Sequence, residues 1–359
     1  SDNGKINSCQ TTCNVKANAK AAIVLCGGFL GLNSGKIEDC VSKGKVYGCS
    51  SYNVAKGLGI EFGITVAMLI GSPIIILIMG VIIAGITGNK GIGEAAGILL
   101  VLSIIVSAIS GIGLIIAEPI KIKDYYVNVG GFCGSNIGEI IGSRFEGAAT
   151  ANATTFKTKC GGFVGDNDKQ GKISSCIATG SAEGQEYVGG FAGVNKSEIV
   201  DCNANVKATA KTKINTALAG GFVGENEKGI INNCTATGGA DSRSSLGQAK
   251  AGGFVGTNKA SIMNSKANGN VYLSAGTFQK DNGCGGFAGK NDQGGSIDGC
   301  YAECIVETTN KKKGGGFVGE AKSKSTIKNS QCKTKIVTKS GTKNNTKFCE
   351  NKDKKAVIE

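Results

Sequence analysis

The sequence predicts a mainly β fold: a parallel β-solenoid of about nine ~31-residue coils, with an inserted two-helix hydrophobic hairpin. Three observations predict it. Gly-Gly-Phe occurs eight times, at Phe29, Phe132, Phe163, Phe191, Phe222, Phe254, Phe287 and Phe317. From Phe132 onward the spacings are 31, 28, 31, 32, 33 and 30 residues, and self-similarity at such a period marks a repeat architecture. The one long step, 103 residues from Phe29 to Phe132, holds one coil of about 31 residues and an insert of roughly 72.

Each unit is read in the same order. Around Phe163 it runs GGFVGDNDKQGKISSCIATGSA, around Phe191 GGFAGVNKSEIVDCNANVKA, and around Phe222 GGFVGENEKGIINNCTATGGA. Short runs of Phe, Val, Ile and Ala alternate with polar residues and close on Gly or Asn, which is strand patterning rather than helical patterning. A β unit this small cannot bury its own apolar face, whereas stacked units share a continuous core. The phenylalanine should then point inward and lie on its copy ~4.8 Å away. The asparagine four residues later (Asn33, Asn136, Asn167, Asn195, Asn226, Asn258, Asn291) falls at a turn. In register, these side chains would form an amide ladder. The glycines are structural, because G-G-F-x-G recurs at every GGF site and lacks the Lys-Ser/Thr pair and following helix of a phosphate loop.

The recurring string G-G-F-[VA]-G-x-N, followed by I-x-x-C-x-A, resembles the GLUG repeat of microbial surface proteins. The resemblance covers residues 1–49 and 125–349 without the insert. It implies an extracellular, non-catalytic β-solenoid of the adhesin or wall-protein type. The chain departs from the pattern by placing Cys at a constant coil position and by hosting the insert.

The sequence divides into N-terminal coils at 1–49, the insert at 50–124, the main solenoid at 125–310 and a basic coil and cap at 311–359. Asp2-Asn3-Gly4-Lys5-Ile6 aligns with the turn after Phe163, so the visible start falls in mid-coil and presents an open edge. The last unit has decayed to KFCENKDKKAVIE and reads as a cap.

There are 15 cysteines and no histidine. Cys9, Cys40, Cys176, Cys202, Cys234 and Cys300 hold the I-x-x-C slot, with Ser265 and Ser330 in two further coils. Cys26, Cys160 and Cys284 precede GGF. Equal positions on adjacent coils fall within the Cα window of a disulfide, and small buried Cys can equally pack as a hydrophobe. Disulfide use would fit an oxidising compartment. C-x3-C spacing without His gives no zinc site, and no metal or other cofactor is expected. N-x-S/T sequons stand at Asn152, Asn195, Asn233 and Asn344 as glycosylation candidates.

The insert contains two uncharged runs, 62–89 and 95–117, linked by Lys90-Gly91-Ile92-Gly93-Glu94. Each is long enough to span a bilayer as a helix. Ala67, Gly71, Gly80 and Ala84, then Ser103, Ser107 and Gly111, would let two such helices approach closely. The hairpin should contact membrane lipid or copies of the same chain in an oligomer or filament, and a third reading stores it for insertion in the manner of a toxin.

The chain carries a net charge of +13. Residues 311–359 hold 14 lysines against four acids. That end could dock an anionic polymer, or serve as a solvated cap against edge pairing. Without interleaved aromatics, nucleic acid is not an expected partner. Catalysis has little support. The acids Asp166, Asp168, Glu225, Glu227 and Asp292 lie in variable turn slots and form no recurring pair, and Asp166-Asn167-Asp168 lacks the acidic twelfth position of a calcium loop. The expectation is a non-enzymatic structural or adhesive surface protein, with a membrane-inserting toxin or effector, or a polysaccharide-binding or -cleaving β-helix, as alternatives.

Overall fold

The computed structural model describes residues 4–20, 23–51, 126–153, 157–276, 281–309, 314–338, 341–343 and 348–359. They form a solenoid of four parallel sheets, which we label A to D in the order the chain meets them in one coil. Sheet A has 10 strands, sheet B 13, sheet C 8 and sheet D 9. Every ladder is parallel except one closing pair, in which Gly341–Lys343 runs antiparallel to Gln331–Thr338.

Each sheet grows from one segment of the repeat. Sheet A comes from the Ile of I-x-x-C. Ile6, Ile37, Ile140, Ile173, Ile199, Ile231, Ile262, Ile297, Ile327 and Ile358 register as one column. Sheet B follows the Cys slot and lines the core with small residues such as Ala178, Ala204, Ala236, Ala267 and Ala302. Sheet C precedes GGF and sheet D follows it.

The corners explain the constant residues. Between sheets C and D the chain turns so tightly that a Cβ on Gly161 would lie 1.9 Å from the Val164 carbonyl oxygen, and one on Gly162 2.2 Å from that of Gly190. Only glycine fits such an approach. Between sheets A and B the residue before the Cys slot is left-handed, with φ of 54° at Ser175, 56° at Asp201, 51° at Asn233 and 49° at Asn264. Short polar side chains tolerate that region.

Two parts of the expected fold class need correction. Among the described residues there is no helix, and so none long and apolar enough to cross a membrane. Among the described residues the fold is a β-solenoid, and the two-helix hairpin is not supported. The runs at 62–89 and 95–117, with Ala67, Gly71, Gly80, Ala84, Ser103, Ser107 and Gly111, lie outside the described residues. The helical expectation rested on apolar length alone, and no such stretch occurs among the described strands. The count also falls from about nine coils to about eight turns, because sheet C has only 8 strands. Counting GGF and decayed units treats partial end coils as whole ones.

Candidate functional site

Three side-chain columns run along the solenoid. The first is aromatic. Phe29, Phe132, Phe163, Phe191, Phe222, Phe254, Phe287 and Phe317 stack successively and continue onto Phe348, with ring centroids 4.7–4.9 Å apart. The rings from Phe132 to Phe317 are fully buried. Each such burial contributes about 1.5–3 kcal/mol. The ring spacing equals the strand spacing, since each ring rides on a GGF corner whose backbone bonds directly to the next.

The second column is the amide ladder. The Nδ2 groups of Asn33, Asn136, Asn167, Asn195, Asn226 and Asn258 donate to the Oδ1 of the next asparagine at 2.8, 2.9, 2.9, 3.0, 3.0 and 2.9 Å, ending at Asn291. The column stops at Ala321, which pairs with Asn291 in register. These amides are buried and satisfied by their copies, as buried polar groups must be.

The third column occupies the Cys slot. The backbone N–H of Cys9 donates to Cys40 Sγ at 3.4 Å, that of Cys176 to Cys202 Sγ at 3.3 Å, and that of Cys202 to Cys234 Sγ at 3.4 Å. Each thiol also donates to the carbonyl two residues earlier, as Cys202 does to Val200 at 3.2 Å and Cys300 to Asp298 at 3.3 Å. Ser265 and Ser330 make the same pair of bonds, and so does Ser143, an occupant of the slot that sequence reading missed. The cysteines of the slot and those preceding GGF are free thiols. The disulfide candidates Cys9, Cys40, Cys176, Cys202, Cys234, Cys300, Cys26, Cys160 and Cys284 are therefore unpaired. In the slot the thiol's task is one that a hydroxyl performs equally. Cys26, Cys160 and Cys284 pack as small core residues. Burial pushes the thiols of Cys160 and Cys300 up to about 12.

The sequons separate by position. Asn195 sits inside the ladder, where a glycan would break two amide bonds. Asn152 is half-buried in the strand Arg144–Ala153. Asn233 is exposed at its left-handed corner and donates to Asp201 at 2.6 Å. Asn344 lies outside the described residues.

Four of the five turn acids pair with lysines. Asp166 accepts from Lys159 at 2.5 Å and from Lys196 at 2.9 Å, and Asp168 from Lys196 at 3.4 Å. Glu225 pairs with Lys259, Lys290 with Asp292 at 3.1 Å, and Lys322 with Glu320 at 2.7 Å. Asp166, Glu225 and Glu320 are buried and share one column of sheet D. Burial and the neighbouring Lys196 charge lower the Lys159 pKa against the pull of Asp166. Loss of hydration is the largest single influence on Lys196, but Asp166, Asp168 and Glu227 together hold its ammonium above the usual value.

The repeat is broken on sheet B, and this break makes a groove. In most coils the sheet B strand is continuous, as in Asn203–Thr212 and Tyr301–Thr308. In two successive coils between these it splits, into Thr235–Ala236 with Ala240–Ser244 and into Lys266–Ala267 with Val271–Ala275. Gly238 and Gly269 fill the gaps. A Cβ on Gly238 would meet the Val206 backbone at 2.2 Å, and one on Gly269 the Gly239 nitrogen at 2.1 Å. The backbone sinks onto its neighbours at both places and leaves a cleft of about 560 Å³.

Its walls include Lys207, Asp241, Arg243, Asn268, Asn270 and Tyr272. Asp241 is buried, and its two oxygens accept from Arg243 Nε at 2.8 Å and Nη2 at 2.7 Å. The guanidinium lies over the Tyr272 ring, 4.7 Å from its centre. Asn270 Oδ1 accepts from the Ile305 N–H at 3.0 Å. Sequence reading named none of these residues. The available signal was G-G and N-G-N at one coil position in two consecutive units.

The model of the GLUG motif matches residues 215–241. That span contains the sheet C strand Ala217–Gly220, the GGF corner, Val223–Asn226, Ile230–Asn232 and Thr235–Ala236, which is one full turn. No curated protein and no solved structure matches the chain. The motif match, and the parallel coils built from similar units, support a GLUG-repeat β-solenoid protein.

Proposed function

We propose that the protein is a non-catalytic structural component of a cell surface, a stiff spacer whose constant columns hold its shape. The observation that carries this reading is the unbroken stack of aromatic rings beside a buried amide ladder. Most of the chain's sequence goes into making each coil fit the next. The pairing of the turn acids with lysines supports a binding or structural role over acid–base chemistry. The two uncharged runs of 62–117 support attachment to lipid or to other copies, on composition alone. The lysines of 311–359 support contact with an anionic polymer.

The test is protease shaving and immuno-electron microscopy of intact source cells, followed by flotation of the membrane fraction. Surface label, with chain that floats with lipid or sediments as ordered polymer, is the expected result. Label confined to the cell interior, with the chain dispersed in the soluble fraction, would overturn the reading.

A further inference from the structure

The groove on sheet B departs from the repeat where the repeat has no need to depart. Continuous strands flank it on both sides, so the stacking geometry can be kept without any break. Two consecutive coils nonetheless place glycines that let the backbone sink, and they surround the hollow with polar side chains. Its volume, about 560 Å³, falls in the size range of small-molecule sites.

The lining chemistry narrows the ligand. Lys207 and Arg243 face Asp241 and Glu307 in the same cleft, so formal charges balance. A balanced cleft carries no net charge to draw an ion, whereas it offers donors and acceptors together. Asn268 and Asn270 add amides, which do both. Tyr272 adds an aromatic surface with a polar tip. Its ring is fixed by strand register and by the guanidinium above it. Asp241 and Asn270 are likewise held in place, by Arg243 and by the Ile305 N–H. A polar site with preset donors, acceptors and one aromatic face suits a neutral polyhydroxylated ligand.

We infer that this groove is a binding site for neutral glycan, recognising sugar hydroxyls through Asn268, Asn270 and Glu307 and a sugar face through Tyr272. It binds without cleaving, because Arg243 engages both oxygens of the buried Asp241 and leaves Glu307 without the second free carboxyl group that glycoside hydrolysis uses. This goes beyond the spacer reading and gives the spacer something to hold.

The experiment is titration calorimetry of the full chain with four probes: cellohexaose, mannohexaose, chitohexaose and polygalacturonate. At least one neutral hexasaccharide should bind. Tyr272→Ala and Asn268→Ala should each weaken it about tenfold, the effect of losing about 1.4 kcal/mol. Asn268 is exposed, so its variant tests the site without disturbing the core. Tyr47→Ala, in the same outward column five coils away, should leave binding unchanged. No binding of any neutral probe overturns the inference. So does binding that both groove variants leave intact, or binding of polygalacturonate alone, which would point to the lysines. None of these outcomes touches the spacer reading, which rests on surface location.

Discussion

Phe222→Ala removes a ring from the middle of the aromatic column. Phe222 is 0% exposed and lies 4.9 Å from Phe191 and 4.8 Å from Phe254. Truncating a fully buried phenylalanine costs about 3–5 kcal/mol, from lost transfer energy and the cavity left behind. Within that total, two stacked pairs at about 0.5–1.5 kcal/mol each account for about 1–3 kcal/mol. Phe29 provides the internal comparison. It is half-buried and stacks only on Phe132 among the described rings. Its truncation loses one pair and less transfer energy, so about half the cost is expected, roughly 1.5–2.5 kcal/mol.

The assay is guanidinium unfolding followed by far-UV circular dichroism on Phe222→Ala, Phe29→Ala and the double variant Phe191→Ala/Phe222→Ala. Because the rings of Phe191 and Phe222 touch, the double variant should cost less than the sum of its singles by about one pair energy, ~1 kcal/mol. Equal costs at Phe222 and Phe29, with strict additivity at 191 and 222, would refute the reasoning. The rings would then be independent core residues and the column would carry no coupling.

The other predictions concern the polar columns. Cys202→Ser should shift the thermal midpoint little, because Ser143, Ser265 and Ser330 already make the same bonds, whereas Cys202→Ala should cost about 1–3 kcal/mol by orphaning the Cys176 N–H. Asn226→Ala should cost at least as much, since it strips the acceptor from Asn195 and the donor from Asn258; urea unfolding measures it, and a neutral result would mean that water replaces the ladder. The buried thiols make stability fall at high pH. Cys133 and Cys160 are raised by burial from the usual 9.0 to about 12, so the unfolded chain releases those protons first. Their contribution is complete below pH 9 and is lost as pH rises towards 12, which the urea midpoint measured across that window should show, with a shallower fall in the Cys133→Ser/Cys160→Ser variant. Asp166→Asn leaves Lys159 without its counter-charge and Lys196 with Asp168 alone, and should cost about 3–5 kcal/mol, and unchanged stability would show the pair to be solvent-screened.

The sequence by itself determined the period, the strand type and the inward residues. A coil that must stack on its own copy repeats its requirements in every unit, so Phe, Asn and Ile at constant positions are legible without coordinates. The role of the cysteines was not legible. Constant spacing places two thiols on adjacent coils, but only the corner geometry shows each Sγ bonded to a backbone N–H, as Cys202 is to Cys176. The groove was illegible for the opposite reason. Asp241, Arg243 and Tyr272 lie on two coils and mean nothing as a string; register alone sets Asp241 beside Tyr272. The pairing of Asp166 with Lys196, thirty positions away, is of the same kind. What recurs along the chain is fixed by local stacking, which sequence encodes once per coil. What occurs once, between side chains on neighbouring coils, exists only after the coils have closed on one another.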